Sequence, residues 1–131
     1  MGLKVRTFRA GSPRESDEGL RIGTVRFLPR GVKKADYAKR DYFDVWFPEV
    51  APSGELVKQG IGLHDADDKS WKRFEAKYRK EMTKTGPRQS IQLLAEIAKK
   101  YPIAVGCYCE NESRCHRSIL LKLIQEAAEK K

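Results

Sequence analysis

The chain is short of cysteine, short of long apolar runs and without recognisable targeting or phosphate-loop segments, and each shortage removes a class of protein. Three cysteines in 131 residues are too few for a disulfide framework and are expected to be thiols. Uninterrupted apolar stretches are only a few residues long, as at Ile119 to Leu121, against the roughly 20 residues that span a bilayer. A transmembrane helix is therefore excluded, and no membrane partner is expected. The start, Met1-Gly2-Leu3-Lys4-Val5-Arg6, has neither the apolar core nor the small-residue cleavage site of a secretory signal, so the expected location is cytoplasmic. Internal repeats, low-complexity segments, a basic tail and a glycine-rich phosphate loop are all missing.

What is present is enough apolar content to bury a core. Hydrophobic residues make up 40% of the chain and charged residues 34%, which argues against wholesale disorder. The length suits a single domain over residues 1–131. The 27 Lys and Arg outnumber the 18 Asp and Glu to give +9. The excess falls in the first hundred residues: 11 basic and 7 acidic in each of 1–50 and 51–100, against 5 and 4 beyond. Such a surface favours polyanions or small anionic ligands through long-range attraction. Solvated charged faces yield the same count, so charge alone does not choose.

Two strands are expected early, at Leu3–Phe8 and at Leu20–Leu28, separated by a polar loop and stopped by Pro29-Arg30-Gly31. That places Arg30 just beyond a strand end. Val45-Trp46-Phe47-Pro48 is too short and too interrupted by proline to assign, and Ala51-Pro52-Ser53-Gly54 is a turn. Trp71, Phe74, Tyr78 and Met82 then form one stripe of an amphipathic helix from Lys69, expected to stop at Gly86-Pro87 and to pack as core. A second helix carries Ile91, Leu94, Ile97 and Ala98 inward and closes at Tyr101-Pro102. Ile103 to Cys109 is a buried-type strand, and Ile119, Leu120, Leu123, Ile124, Ala127 and Ala128 mark a terminal helix. Helix, buried strand, loop, helix is the grammar of an α/β fold: a partly parallel sheet with helices layered against its faces.

In such sheets ligands bind beyond the carboxyl ends of the strands, where Cys109-Glu110-Asn111-Glu112-Ser113-Arg114-Cys115-His116-Arg117 lies. Ser113 as N-cap would put Arg114, Cys115 and His116 in the first helical turn, which favours anions. A thiol there, among Arg114, His116 and Arg117, is expected to have its thiolate stabilised, making Cys115 the candidate nucleophile. A small buried core residue is the competing reading. His116 is a candidate base, although adjacent helical residues diverge by about 100°, and Arg117 suits an anion clamp. The five residues between Cys109 and Cys115 allow a reversible disulfide, a secondary redox reading. Cys107 alternates with Cys109 and is expected to be core. Cys109, Cys115, His116 and distant His64 are metal-ligand types without the paired C-x2-C spacing of zinc modules. No metal and no cofactor is assigned. The H-C-x5-R phosphate loop of tyrosine phosphatases is not met by Cys109 and Arg114.

Val25-Arg26-Phe27-Leu28-Pro29-Arg30-Gly31, then Ala51-Pro52-Ser53-Gly54-Glu55-Leu56, His64-Asp65 and Trp71-Lys72-Arg73-Phe74 with Tyr78 resemble, in order, the family called domain of unknown function 488, in its YeaO-like branch. Cys107-Tyr108-Cys109-Glu110 followed by Cys115-His116-Arg117-Ser118 resembles further signatures of the same family. The resemblance covers residues 20–125. It implies a small cytoplasmic α/β protein and carries no activity with it. The family pattern places Arg26, Arg30, Gly31, Pro52, Ser53, Glu110, Cys115, His116 and Arg117 in a shared site. Departures are Val25 where an acid is usual, Leu28 where tryptophan is usual, and Val57 where arginine is usual.

Together these residues suggest a pocket for a small anionic ligand bearing phosphate or carboxylate. For an enzyme, Cys115 is the nucleophile or redox centre, Glu110 or His116 the acid/base, and Arg30 with Arg117 the charge stabilisers. Arg26, Gly31 and Ser53 complete the ligand-binding set, with Trp46 as a possible wall. A basic nucleic-acid-binding module is the alternative, with Tyr37, Tyr42 and Trp46 stacking on bases. A merely structural cysteine cluster is the third reading.

Overall fold

A computed structural model describes residues 3–28, 31–60, 67–108 and 115–129. Its strands are β1 (Val5–Arg9), β2 (Leu20–Gly23), β3 (Val45–Trp46) and β4 (Ile103–Cys107). They form one four-stranded sheet in the order β1-β4-β2-β3, and every neighbouring pair is parallel. β4 lies between β1 and β2 and is buried at all five positions, which is why its sequence is apolar without alternation.

The α-helices are α1 (Gly54–Gly60), α2 (Asp68–Glu81), α3 (Thr85–Lys100) and α4 (His116–Glu129). Their inward residues share one core with Ile22, Ile103 and Val105 of the sheet. Among them are Leu56, Phe74, Tyr78, Leu94, Ala98, Leu120 and Ile124. The second core joins Phe8 and Ala104 to Val25, Tyr37 and Phe43. These last three come from the connection between β2 and β3, whose described residues include a 3-10 turn at Lys34–Asp36. The layered α/β arrangement is thus realised with α-helices on one core and a looped segment with a 3-10 turn in the other.

Two glycines let aromatic rings lie on the sheet. A Cβ on Gly106 would fall 2.4 Å from the Phe8 carbonyl oxygen and 2.6 Å from the Phe8 ring, and one on Gly23 2.4 Å from the Phe43 ring. Above Phe8, at 4.5 Å from the ring centre, sits the Arg21 guanidinium.

The structure corrects several expected boundaries. β2 stops at Gly23 rather than Leu28: the Thr24 N–H and hydroxyl both still donate to Gly106 O of β4 at 3.0 Å, but the Thr24 and Val25 carbonyls are taken by the His116 and Trp46 side chains at 2.6 and 2.8 Å. Val45–Trp46, too short to assign from sequence, is the parallel edge strand, and α1 follows the turn at 51–54. The helix beginning near Lys69 ends at Glu81, with Met82 as its C-cap. Gly86 and Pro87 do not terminate it; they lie in the first turn of α3. Proline is compatible there, since first-turn N–H groups have no partner within the helix. The aromatic stripe is core as expected: Phe74, Tyr78 and Met82 are buried, and half-buried Trp71 stacks on Phe74 at 5.3 Å.

Asp44 ties the β2 entrance to the loop before it, accepting from Arg21 N at 2.8 Å and from both Arg14 terminal nitrogens at 2.9 and 3.0 Å. Desolvation pushes its carboxyl up, but the Arg14 pair, the Arg21 N–H and the nearby guanidinium charges outweigh this and hold it below the ordinary 3.8. The resulting stabilisation is complete above 3.8 and is lost as pH falls through the lower folded value. The stability difference between wild type and Asp44→Asn should therefore be constant near neutrality and shrink below about pH 4. Urea titrations at several pH values check this, and a difference that does not change with pH contradicts it.

Candidate functional site

At the carboxyl end of the sheet, β4 ends on Cys107 and α4 begins at His116, with Cys115 immediately before it. The expected N-cap arrangement is shifted: Cys115 precedes the helix instead of sitting inside its first turn, and Ser113 and Arg114 lie outside the described residues. The Cys115 carbonyl accepts from the Ser118 N–H at 3.1 Å and the Ser118 hydroxyl at 2.8 Å, which fixes the entry into the helix.

Cys107, Cys115, His116 and Arg117 are all buried. One ligand atom from each of Cys107, Cys115 and His116 lies within 4.8 Å of the other two. His116 Nε2 is 2.6 Å from the Thr24 carbonyl oxygen. A carbonyl only accepts, so Nε2 carries the proton, and in the neutral ring Nδ1 presents a lone pair. That Nδ1 is 3.8 Å from Cys115 Sγ. The divergence expected of adjacent helical residues does not apply, because Cys115 lies outside the helix. Arg117 donates from Nη1 to Cys107 Sγ at 3.5 Å, and its positive charge favours the anionic form of that sulfur.

Tyr78 closes the cluster from α2. Its ring centre is 5.6 Å from that of His116, and its hydroxyl donates to Val50 O at 2.7 Å. Complete burial, reinforced by Cys115, Glu81 and Cys107, holds the phenol well above its usual range. It therefore stays protonated as a donor.

This Cys-Cys-His-Arg grouping lies on a chain whose residues 5–128 match the family model described as the active DUF488-N3 subclade. The chain belongs to the DUF488 family. It is 31% identical over 118 residues to the uncharacterized protein YeaO of Escherichia coli (strain K12), which covers 90% of this chain and 94% of that protein. No solved structure matches.

Within this DUF488 protein the remaining candidates are dispersed. Arg26 donates from Nε to Pro52 O at 3.0 Å and from Nη2 to Ala51 O at 3.1 Å, strapping the segment after β2 to the turn before α1. Ser53 caps α1: its hydroxyl donates to Glu81 at 2.6 Å and accepts from Leu56 N at 3.2 Å. It lines a shallow depression of about 320 Å³ with Lys77, Lys80, Glu81 and Lys84, none of which belongs to the cysteine cluster. Gly31 is exposed in a left-handed turn at φ 73°. Arg30, Cys109, Glu110 and His64 lie outside the described residues, and with them the Cys109–Cys115 redox pair and two members of the first metal-ligand set. Val25 is buried in the same apolar cluster as Cys107 and Cys115.

Cys107, Thr24 and Tyr78 escaped the sequence reading as parts of this cluster. Cys107 is core as expected, but it is also the second sulfur. Thr24 contributes through its carbonyl, a group that no side-chain pattern announces. Among the aromatics proposed to stack on bases, Tyr37 is instead 8% exposed and packed edge-on to Phe43. Trp46 is 39% exposed, with its indole N–H donating to Val25 O at 2.8 Å. No described helix is long and apolar enough to cross a membrane.

Proposed function

We propose that this DUF488 protein is a thiol-dependent enzyme for a small anionic substrate, with Cys115 as nucleophile and His116 as its base. The observation that carries the reading is the clamp of His116 Nε2 on the Thr24 carbonyl, which leaves Nδ1 as the basic nitrogen beside Cys115 Sγ. A nucleophile, a base and a group that orients the base are the minimum set for nucleophilic catalysis by a thiol. Arg117 supplies positive charge in a buried setting, where it acts on an anion more strongly than in water. The net charge of +9 adds long-range attraction for such a substrate.

Iodoacetamide labelling of the native, chelator-treated protein at neutral pH, resolved for each cysteine by mass spectrometry, tests this. Cys115 should be alkylated faster than Cys107, inorganic phosphate should slow the reaction, and His116→Gln should slow it about tenfold or more. Labelling of Cys115 only after unfolding would remove the thiol mechanism and leave the cluster as packing.

A further inference from the structure

We infer that Cys107, Cys115 and His116 form a zinc site. The inference uses the same Cys115–His116 geometry as the enzymatic reading but does not require the thiol to be reactive. Three soft or borderline donors, from the end of β4 and the start of α4, have ligand atoms within 4.8 Å of one another. Zinc bound tetrahedrally at about 2.3 Å to sulfur and about 2.0 Å to nitrogen holds its donors roughly 3.5–3.8 Å apart. The Cys115 Sγ to His116 Nδ1 distance is already 3.8 Å, and the third donor needs to move by no more than about 1 Å to complete that spacing.

The surroundings are those of a metal-binding histidine. A ligating imidazole donates its other N–H to a carbonyl or carboxylate, which fixes the tautomer and the ring orientation. His116 Nε2 does this with Thr24 O at 2.6 Å. Thr24 is itself held by two bonds to Gly106 O, one residue before Cys107. The second coordination layer therefore connects directly to the strand that carries the first sulfur. Arg117 Nη1, 3.5 Å from Cys107 Sγ, favours the thiolate that zinc requires. Two thiolates neutralise a divalent ion. A fourth, anionic ligand would then sit in the field of Arg117. Donor chemistry selects zinc over magnesium or calcium, which take oxygen ligands.

Bound zinc would occupy both the Cys115 sulfur and His116 Nδ1. The loaded protein would consequently hold its nucleophile masked, and loss of the ion would expose it.

The test uses the full chain, stripped with a chelator and titrated with Co²⁺ and then Zn²⁺. One equivalent of cobalt should give thiolate-to-metal charge-transfer absorption that zinc abolishes, and X-ray absorption of the zinc form should count at least two sulfur ligands. Cys107→Ser should weaken zinc binding at least tenfold. No charge-transfer band, fewer than two sulfurs, or a C107S protein with wild-type affinity would each overturn the site. Should C107S not fold, the wild-type sulfur count decides alone. Zinc bound by a protein whose stripped Cys115 stays inert to iodoacetamide refutes the enzymatic reading and supports this one; a reactive Cys115 without zinc binding does the opposite.

Discussion

Glu18→Ala is expected to lower the stability of the protein by about 3–5 kcal/mol, because it strands a buried cation. Arg21 is 0% exposed and Glu18 1% exposed. Their carboxylate and guanidinium meet at 2.6 Å through Nε and 3.1 Å through Nη2. The same guanidinium donates to the Asp41 carbonyl and, at 3.1 Å, to the Pro13 carbonyl, so it cannot swing out to water without breaking the loops on both sides of β2. Thermal unfolding followed by circular dichroism should show a fall of roughly 10–15 °C. The double variant Glu18→Leu with Arg21→Met removes both charges and should recover part of the loss, since what costs most is one charge left unpaired. A single-variant loss below about 1 kcal/mol would mean that the pair behaves as a surface ion pair, contrary to its burial.

The second large effect is expected at Gly106→Ala, about 3 kcal/mol or more. The added methyl would sit 2.4 Å from the Phe8 carbonyl oxygen, a backbone atom of the paired strand, and 2.6 Å from the Phe8 ring. Rotating a side chain does not relieve a clash with backbone, so β1 and β4 must separate. Gly106 O also receives both Thr24 bonds, and Thr24 O holds His116. Separation of the strands should therefore loosen the imidazole as well as the sheet. Two measurements check this together: the urea midpoint should fall, and zinc affinity or Cys115 labelling should change in the same variant. Wild-type stability would show that the strands absorb the methyl, and the linkage from strand to site would fail.

Much of the fold was legible because burial leaves periodic marks. β4 is covered on both faces, so Ile103, Ala104 and Val105 run without a polar interruption. The stripe Trp71, Phe74, Tyr78 and Met82 repeats at helical spacing because α2 presents one face to the core. Ile119, Leu120 and Ile124 do the same for α4. Where the period was short or the element brief, the reading failed. β3 has two residues, and Leu20–Leu28 is strand-like in composition beyond Gly23 although the Thr24 and Val25 carbonyls bond to side chains instead of a neighbouring strand. Pro87 marks a helix start rather than a helix end, and both uses of proline look alike in sequence.

For the candidate site, the place and the residue types were readable in the chain: thiols, an imidazole and an arginine between a buried strand and the last helix. Which atoms meet follows from the packing of β4 against α4 and the segment after β2. Alternation along β4 makes Cys107 a core residue, yet it does not say that the start of α4 brings a second sulfur and a histidine beside it. The acceptor that orients His116 is a backbone carbonyl 92 residues earlier in the chain. Every residue has such a carbonyl, so nothing in its side chain marks it. Likewise, Glu18 sits in a segment that reads as a polar loop, and only tertiary packing buries it against Arg21 of β2. Local composition records how often a position faces the core, whereas ligand sets and buried charge pairs depend on which distant segments the sheet places side by side.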